Sequence, residues 1–264
     1  MAGGRLARNG MQMIQARDLV KAYGAREAVR GMSFDVASGA LYGFLGPNGA
    51  GKTTTIKMLA GLLKPTSGTV HIAGVDVAQH PLEAKRRIGL VPDEPVLFEK
   101  LTAIEYLAFI ADVYGVPREV ARPRAAELLE MFELSGVAKE LIGGYSHGMR
   151  QKCALAGALL HEPDVLFLDE PTVGLDPASA RLIKDLLRSI VARGGTVFMA
   201  THILEIAQAL CTEIGIVQQG RIIASGTIAE LREQASAGAD QSLEDIFLRL
   251  TGSTEERSVA EYLR

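Results

Sequence analysis

The chain has 264 residues, enough for one larger α/β unit or two small domains, and it needs no disulfide or metal staples to bury a core. Its 28 Lys and Arg against 31 Asp and Glu leave a formal charge of −3, which argues against a broad nucleic-acid-binding surface. No apolar run approaches the ~20 residues of a membrane span, and Cys153 and Cys211 make neither a CxxC pattern nor a disulfide framework, so a reducing, intracellular setting is expected.

Residues 1–12 carry two arginines without an apolar run of signal-peptide length and are expected to be a flexible leader. Residues 40–45 (ALYGFL) form a predicted strand ending at Gly46, and a helix is predicted from Lys52 to Leu63, ahead of Pro65. Thr102-Ala-Ile-Glu105 has the spacing of a capping box and predicts a helix over 103–114. Gly115, Pro117 and Pro123 punctuate the chain before a helix through 125–132, and another is predicted after Ser146, running to Leu160. Residues 165–168 (VLFL) and 196–200 (TVFMA) read as strands buried on both faces, separated by a helix over 181–192 that Gly194-Gly195 stops. Residues 214–217 and 222–224 flank Gln218-Gln219-Gly220-Arg221 and predict a hairpin. A second capping box, Thr227-Ile-Ala-Glu230, precedes a polar linker over 234–241 and a short helix over 242–250, with Leu243, Ile246, Phe247 and Leu250 on one face. Strands alternating with helices indicate an α/β fold with a largely parallel sheet. The mostly helical stretch from about 93 to 160 interrupts that alternation as an insertion into a nucleotide-binding core.

Chemistry concentrates at two places. Gly46-Pro47-Asn48-Gly49-Ala50-Gly51-Lys52-Thr53, followed by Thr54, matches the P-loop pattern GxxxxGK[ST] between a predicted strand and a predicted helix. Its glycines let several backbone N–H groups converge on a phosphate, the helix N-terminus adds a positive dipole end, Lys52 reaches the β- and γ-phosphates, and Thr53 ligates Mg²⁺. The apolar run ending in Asp169-Glu170 delivers two adjacent carboxylates to the edge where open α/β sheets bind ligands. Alternation along a strand points them in different directions, Asp169 toward the metal and Glu170 toward an attacking water. His71, His80 and His161 have no such context and read as surface or turn residues, while Cys153, one helical turn past Met149, reads as core.

With these motifs in order, residues 13–251 resemble the nucleotide-binding subunit of an ATP-binding cassette (ABC) transporter. Tyr23 stands where that family stacks an aromatic on adenine. Tyr145-Ser146-His147-Gly148-Met149 occupies the place of the LSGGQ signature, Gly174-Leu175-Asp176 that of the D-loop, and His202, after Thr201, that of the switch histidine. The resemblance implies a P-loop NTPase core with a mixed, largely parallel sheet, an N-terminal antiparallel β subdomain and an inserted helical signature subdomain over about 94–160. The ATPase domain would then span 13–233, with a linker and short helical extension over 234–264. It further implies a head-to-tail dimer, of two copies or of related subunits, in which Ser146, His147, Gly148, Met149 and Asp176 act on the ATP held by the other subunit. Glu170 would polarise the water and His202 would contact the γ-phosphate.

Two departures stand out. Asp93 replaces the Q-loop glutamine, which suggests that it, or Glu94 beside it, serves the metal or the water and reports on the transport partner. In the signature, His147 and Met149 replace a glycine and a glutamine, with Ser146 and Gly148 retained. The style of 145–152 and of 242–252 resembles exporter ATPases of the drug-efflux branch, peripheral to the cytoplasmic face of the membrane. Phe98 and Leu101, with Glu94 and Glu99, would there dock a separate integral membrane permease. The alternatives are a non-transport ABC protein acting on ribosomes or DNA, an importer ATPase and a regulatory nucleotide-binding subunit. The single cassette without coiled coils or basic stretches stands against the first of these, and the intact Lys52, Asp169, Glu170 and His202 stand against the last.

Overall fold

The computed structural model describes residues 10–236, 238 and 241–252, and every structural statement below concerns these residues. The expected leader falls outside them except for residues 10–12, and residues 253–264 lie outside altogether. β1 (Gln12–Tyr23) and β2 (Arg26–Ala37) form a long hairpin, and β3 (Leu41–Leu45) leads into α1 (Lys52–Leu59). Next come β4 (Ser67–Ile72), β5 (Val75–Asp76), α2 (Pro81–Arg86) and β6 (Ile88–Val91). The insertion holds α3 (Ala103–Tyr114), α4 (Arg118–Met131) and α5 (His147–Leu160). Alternation resumes with β7 (Val165–Asp169), α6 (Pro177–Ala192), β8 (Thr196–Thr201) and α7 (Leu204–Leu210). The predicted hairpin is β9 (Glu213–Gln218) with β10 (Arg221–Gly226), and α8 (Ile228–Gln234) and α9 (Leu243–Thr251) follow it.

The strands make two sheets. An antiparallel one has the order β2-β1-β4-β5, and a larger one the order β10-β9-β3-β8-β7-β6, parallel from β9 to β6 with β10 antiparallel at its rim. Side-chain alternation explains why the inner strands are apolar throughout. Tyr42, Phe44, Phe167 and Phe198 face the antiparallel sheet, while Leu41, Leu45, Leu166, Leu168, Val197 and Met199 face the helices. Phe34 of β2 meets this aromatic face, with ring centroids 6.0 Å from Tyr42 and 5.9 Å from Phe198. The two sheets are thus held through one core, and the C-terminal ends of β3, β7 and β8 converge on one rim.

Three helix boundaries differ from expectation. α1 stops at Leu59, four residues early, because Gly61 takes a left-handed φ of 65° and a Schellman pair forms, Leu62 N to Lys57 O and Gly61 N to Met58 O. α4 starts at Arg118 and runs through Pro123, since Ala121, Leu128 and Leu129 bury against its neighbours and outweigh one lost backbone bond. α6 starts at Pro177 because Asp176 caps it, accepting from the N–H groups of Ala178 and Ser179. His71, His80 and His161 fall, as expected, at accessible or turn positions, His80 exposed and the other two half-buried, and the His161 ring also stacks on Tyr114 with centroids 3.7 Å apart.

Candidate active site

The P-loop leaves β3 at buried Gly46 and curls over the start of α1. Gly51 has a φ of 105°, and a Cβ there would stand 2.6 Å from the Ala28 carbonyl, so glycine alone fits. Ala50 is buried, whereas Pro47, Asn48 and Gly49 are exposed. Lys52 is buried, and its ammonium donates to Gly46 O at 2.8 Å and lies 3.5 Å from Glu170. A cavity of 450 Å³ opens over the loop and is lined by Tyr23, Asn48, Gly49, Gly51, Lys52, Thr53, Thr54, Asp93, Asp169 and Glu170, together with Arg26 and Ala28. Ten of the predicted residues thus share one space.

The alternation expected of a strand does not carry through both acids, because the chain turns at Glu170. Glu170 leaves β geometry with a φ of 49°, so both acids still line the same cavity. Burial pushes the Asp169 carboxyl above its usual range; the Thr53 hydroxyl opposes that, the charges of Glu170 and Asp93 add to it, and Lys52 counters them. Glu170 Oε2 accepts from the Thr201 hydroxyl at 2.9 Å and from the His202 backbone N–H at 3.3 Å, while its Oε1 is 2.9 Å from His202 Nδ1. A carboxylate only accepts, so this imidazole carries a proton on Nδ1.

The predicted signature and D-loop residues are not among those lining the cavity and are grouped together. Ser146 caps α5, accepting from Met149 N at 3.3 Å, with His147 exposed and Gly148 and Met149 half-buried beside it. The His147 ring packs on Gly174, where an added Cβ would come within 3.3 Å of it, and Leu175 packs on Gly148. Asp176 caps α6 and also accepts from the Ser179 hydroxyl at 2.6 Å, the first cause holding its carboxyl below the usual range. Three lining or supporting residues escaped sequence reasoning. Arg26 is cross-strand from Tyr23, and Ala28 follows it; the Gly24-Ala25 turn between two apolar-rich runs was the available signal. Thr201 carried no signal beyond preceding His202.

The ABC transporter family model matches residues 29–173 of this chain. The chain belongs to the ABC transporter family. It is 42% identical over 219 residues to the linearmycin resistance ATP-binding protein LnrL of Bacillus subtilis (strain 168), spanning 83% of this chain and 70% of that protein. It is 43% identical over 213 residues to the Nod factor export ATP-binding protein I of Burkholderia orbicola (strain AU 1054), spanning 81% of this chain and 70% of that one. Among solved structures, a dimeric ATP-binding cassette in a post-hydrolysis state bound to ADP and Pi superimposes with a TM-score of 0.76 at 27% identity, over 82% of this chain and 99% of that one. This ABC subunit is an ATPase: it binds and hydrolyses ATP to drive transport. None of its described helices is long and apolar enough to cross a membrane.

Proposed function

We propose that this ABC subunit powers export through a separate membrane permease at the cytoplasmic face, closing as a head-to-tail dimer on two ATP molecules. The observation that carries the reading is the division of its motifs. P-loop residues, Asp169 and Glu170 line one cavity, with His202 bonded to Glu170, while the Ser146 and Gly174–Asp176 surface does not line it. A second copy, or a related subunit, would bring that surface to the open side. The names of the relatives, one for linearmycin resistance and one for Nod factor export, support the export direction.

Within one subunit, Tyr23, exposed at the cavity's edge, offers its ring to the adenine, and Arg26 offers a cation nearby. The Gly46–Thr54 loop cradles the phosphates with its N–H groups, and Lys52 turns from Gly46 O toward them. Thr53, Asp169 and Asp93 are hard oxygen donors facing one space, a set that suits Mg²⁺. No described cluster of three or more His, Cys, Asp or Glu could hold a metal alone, so phosphate oxygens complete the set. When bound, Mg²⁺ neutralises charge on the phosphates. Glu170, held by Thr201 and His202, accepts a proton from the attacking water, and His202 steadies the γ-phosphate. Ser146 and the Gly148 amide, at a helix N-terminus, close on the same phosphate from the other subunit and exclude water.

The permease contact falls beside the Asp93 loop. Val96 is 92% exposed and Phe98 53% exposed, with Phe98 edge-on to Phe109 at 5.1 Å. Leu101 instead packs half-buried on the helical core and Glu99 pairs with Arg150 at 3.3 Å, so the apolar contact comes from Val96 and Phe98 and the charge from Glu94. The decisive experiment is ATP turnover by the purified chain with and without Mg²⁺, against Glu170→Gln. Removing the base is expected to leave ATP binding intact and lower turnover by about 10²–10⁴-fold. Wild-type turnover in the variant overturns the role of Glu170.

A further inference from the structure

Among the described residues, His161 is a half-buried histidine that the site does not use. His161 caps the C-terminal end of α5, the helix whose N-terminal end is Ser146. Its Nε2 lies 3.0 Å from the carbonyl oxygen of Ile88, the first residue of β6. A carbonyl can only accept, so Nε2 carries the proton. Nδ1 is buried without a partner, which leaves the ring neutral, and burial, the leading cause, pulls its pKa below the ordinary histidine value. An apolar ring of the same shape would avoid the cost of that bare nitrogen. The Nε2–H bond is what a histidine adds here.

The surroundings make this point a junction. A face of the ring stacks on Tyr114, the last residue of α3, at an interplanar angle of 16°. Arg124 of α4 donates to the Leu160 carbonyl at 2.8 Å. β6 is the outermost strand of its sheet, and α5 lies close against it: a Cβ on Gly89 would stand 2.7 Å from the Ala158 carbonyl. Three helices of the insertion are therefore fastened at one spot to the strand that, two residues beyond its end, delivers Asp93 to the cavity. The opposite end of α5, about 21 Å away for a helix of this length, carries Ser146.

We propose that His161 is a positioning residue that latches α5 to β6, so that the Asp93 loop of one cavity and the Ser146 surface serving the other move as one piece. The proposal rests on the reading that Ser146 acts across a dimer. Packing alone would hold the insertion in place in a single subunit. The latch instead passes a displacement of the Asp93 loop along α5.

The test uses the full chain carrying Glu170→Gln, with ATP affinity measured on dilute monomer and ATP-driven dimerisation followed by analytical ultracentrifugation. His161→Phe keeps a ring to stack and loses the donor; His161→Gln keeps a donor for Ile88 O and loses the ring. Losing one buried hydrogen bond is expected to weaken dimerisation by about tenfold in His161→Phe, with His161→Gln recovering most of it and monomer affinity unchanged in both. Adding Asp93→Ala to His161→Phe is expected to weaken dimerisation no further. Tyr114→Leu, which removes the other half of the stack, serves in its place if His161→Phe does not fold. Equal dimerisation by parent and variant, or fully additive effects of His161 and Asp93, overturns the latch alone. A parent that stays monomeric with ATP overturns the dimer reading and the latch with it.

Discussion

Glu170 shows how much a single backbone angle decides. In regular β geometry it would turn away from Asp169; at a φ of 49° it stays in the same cavity and meets the donors of Thr201 and His202. Its partner Asp169 sits among acids, and Asp93 raises its pKa further. A glutamine at position 93 would add no charge there, so the aspartate changes what the site asks of a cation. Asp93→Ala is expected to raise the Mg²⁺ concentration needed for half-maximal ATPase, with ATP binding by the P-loop retained. A Mg²⁺ titration of turnover checks this, and an unchanged curve with unchanged coupling to transport sinks the role given to Asp93.

Elements start and stop where local chemistry tells them to. The Thr102 hydroxyl accepts from Glu105 N at 3.2 Å, and the Glu105 carboxylate accepts from Thr102 N at 2.9 Å. That returning backbone bond is the first cause holding the Glu105 carboxyl below its usual range; Glu230 behaves likewise with Thr227, and Asp245 is held low first by the Ser242 hydroxyl. A depressed folded-state pKa adds stability above the unfolded value that is lost as pH falls through the folded one. Below about pH 4 the three boxes should therefore weaken together. Glu105→Gln keeps an acceptor but not the charge, so urea unfolding at pH 5 and pH 3 should show a smaller loss for the variant. An identical loss contradicts the assignment. The boxes at Thr102 and Thr227 were legible in the sequence because all their parts lie within four residues; the one at Ser242, where Asp245 stands in place of a glutamate, was not read as a box. The early end of α1 and the passage of α4 through Pro123 were not legible, since one depends on a left-handed glycine and the other on burial against distant helices.

Across the molecule, the aromatic layer between the sheets is the main structural joint. Phe198 lies 5.1 Å from Phe44, 5.5 Å from Tyr42 and 5.6 Å from Phe167. Phe198→Ala is expected to cost about 3–5 kcal/mol in a denaturant titration, because a fully buried ring leaves a cavity that rigid strands close poorly. A loss below ~1 kcal/mol would mean the sheets are joined elsewhere. Since β8 ends in Thr201, next to His202, the same substitution should loosen the hold on Glu170 as well.

What the sequence by itself determined is whatever rests on near neighbours: the P-loop, the Asp169-Glu170 strand end, the capping boxes at Thr102 and Thr227, the hairpin at Gly220 and the alternating α/β order. Those signals are local because phosphate cradles, caps and tight turns are built from consecutive backbone groups. Only the tertiary structure decided which distant residues meet: Thr201 on Glu170, Arg26 in the cavity, His147 against Gly174, and His161 between Tyr114 and Ile88. Each of those contacts joins separate elements, and their positions come from how strands order in a sheet and how helices pack on it, which no short stretch of chain encodes.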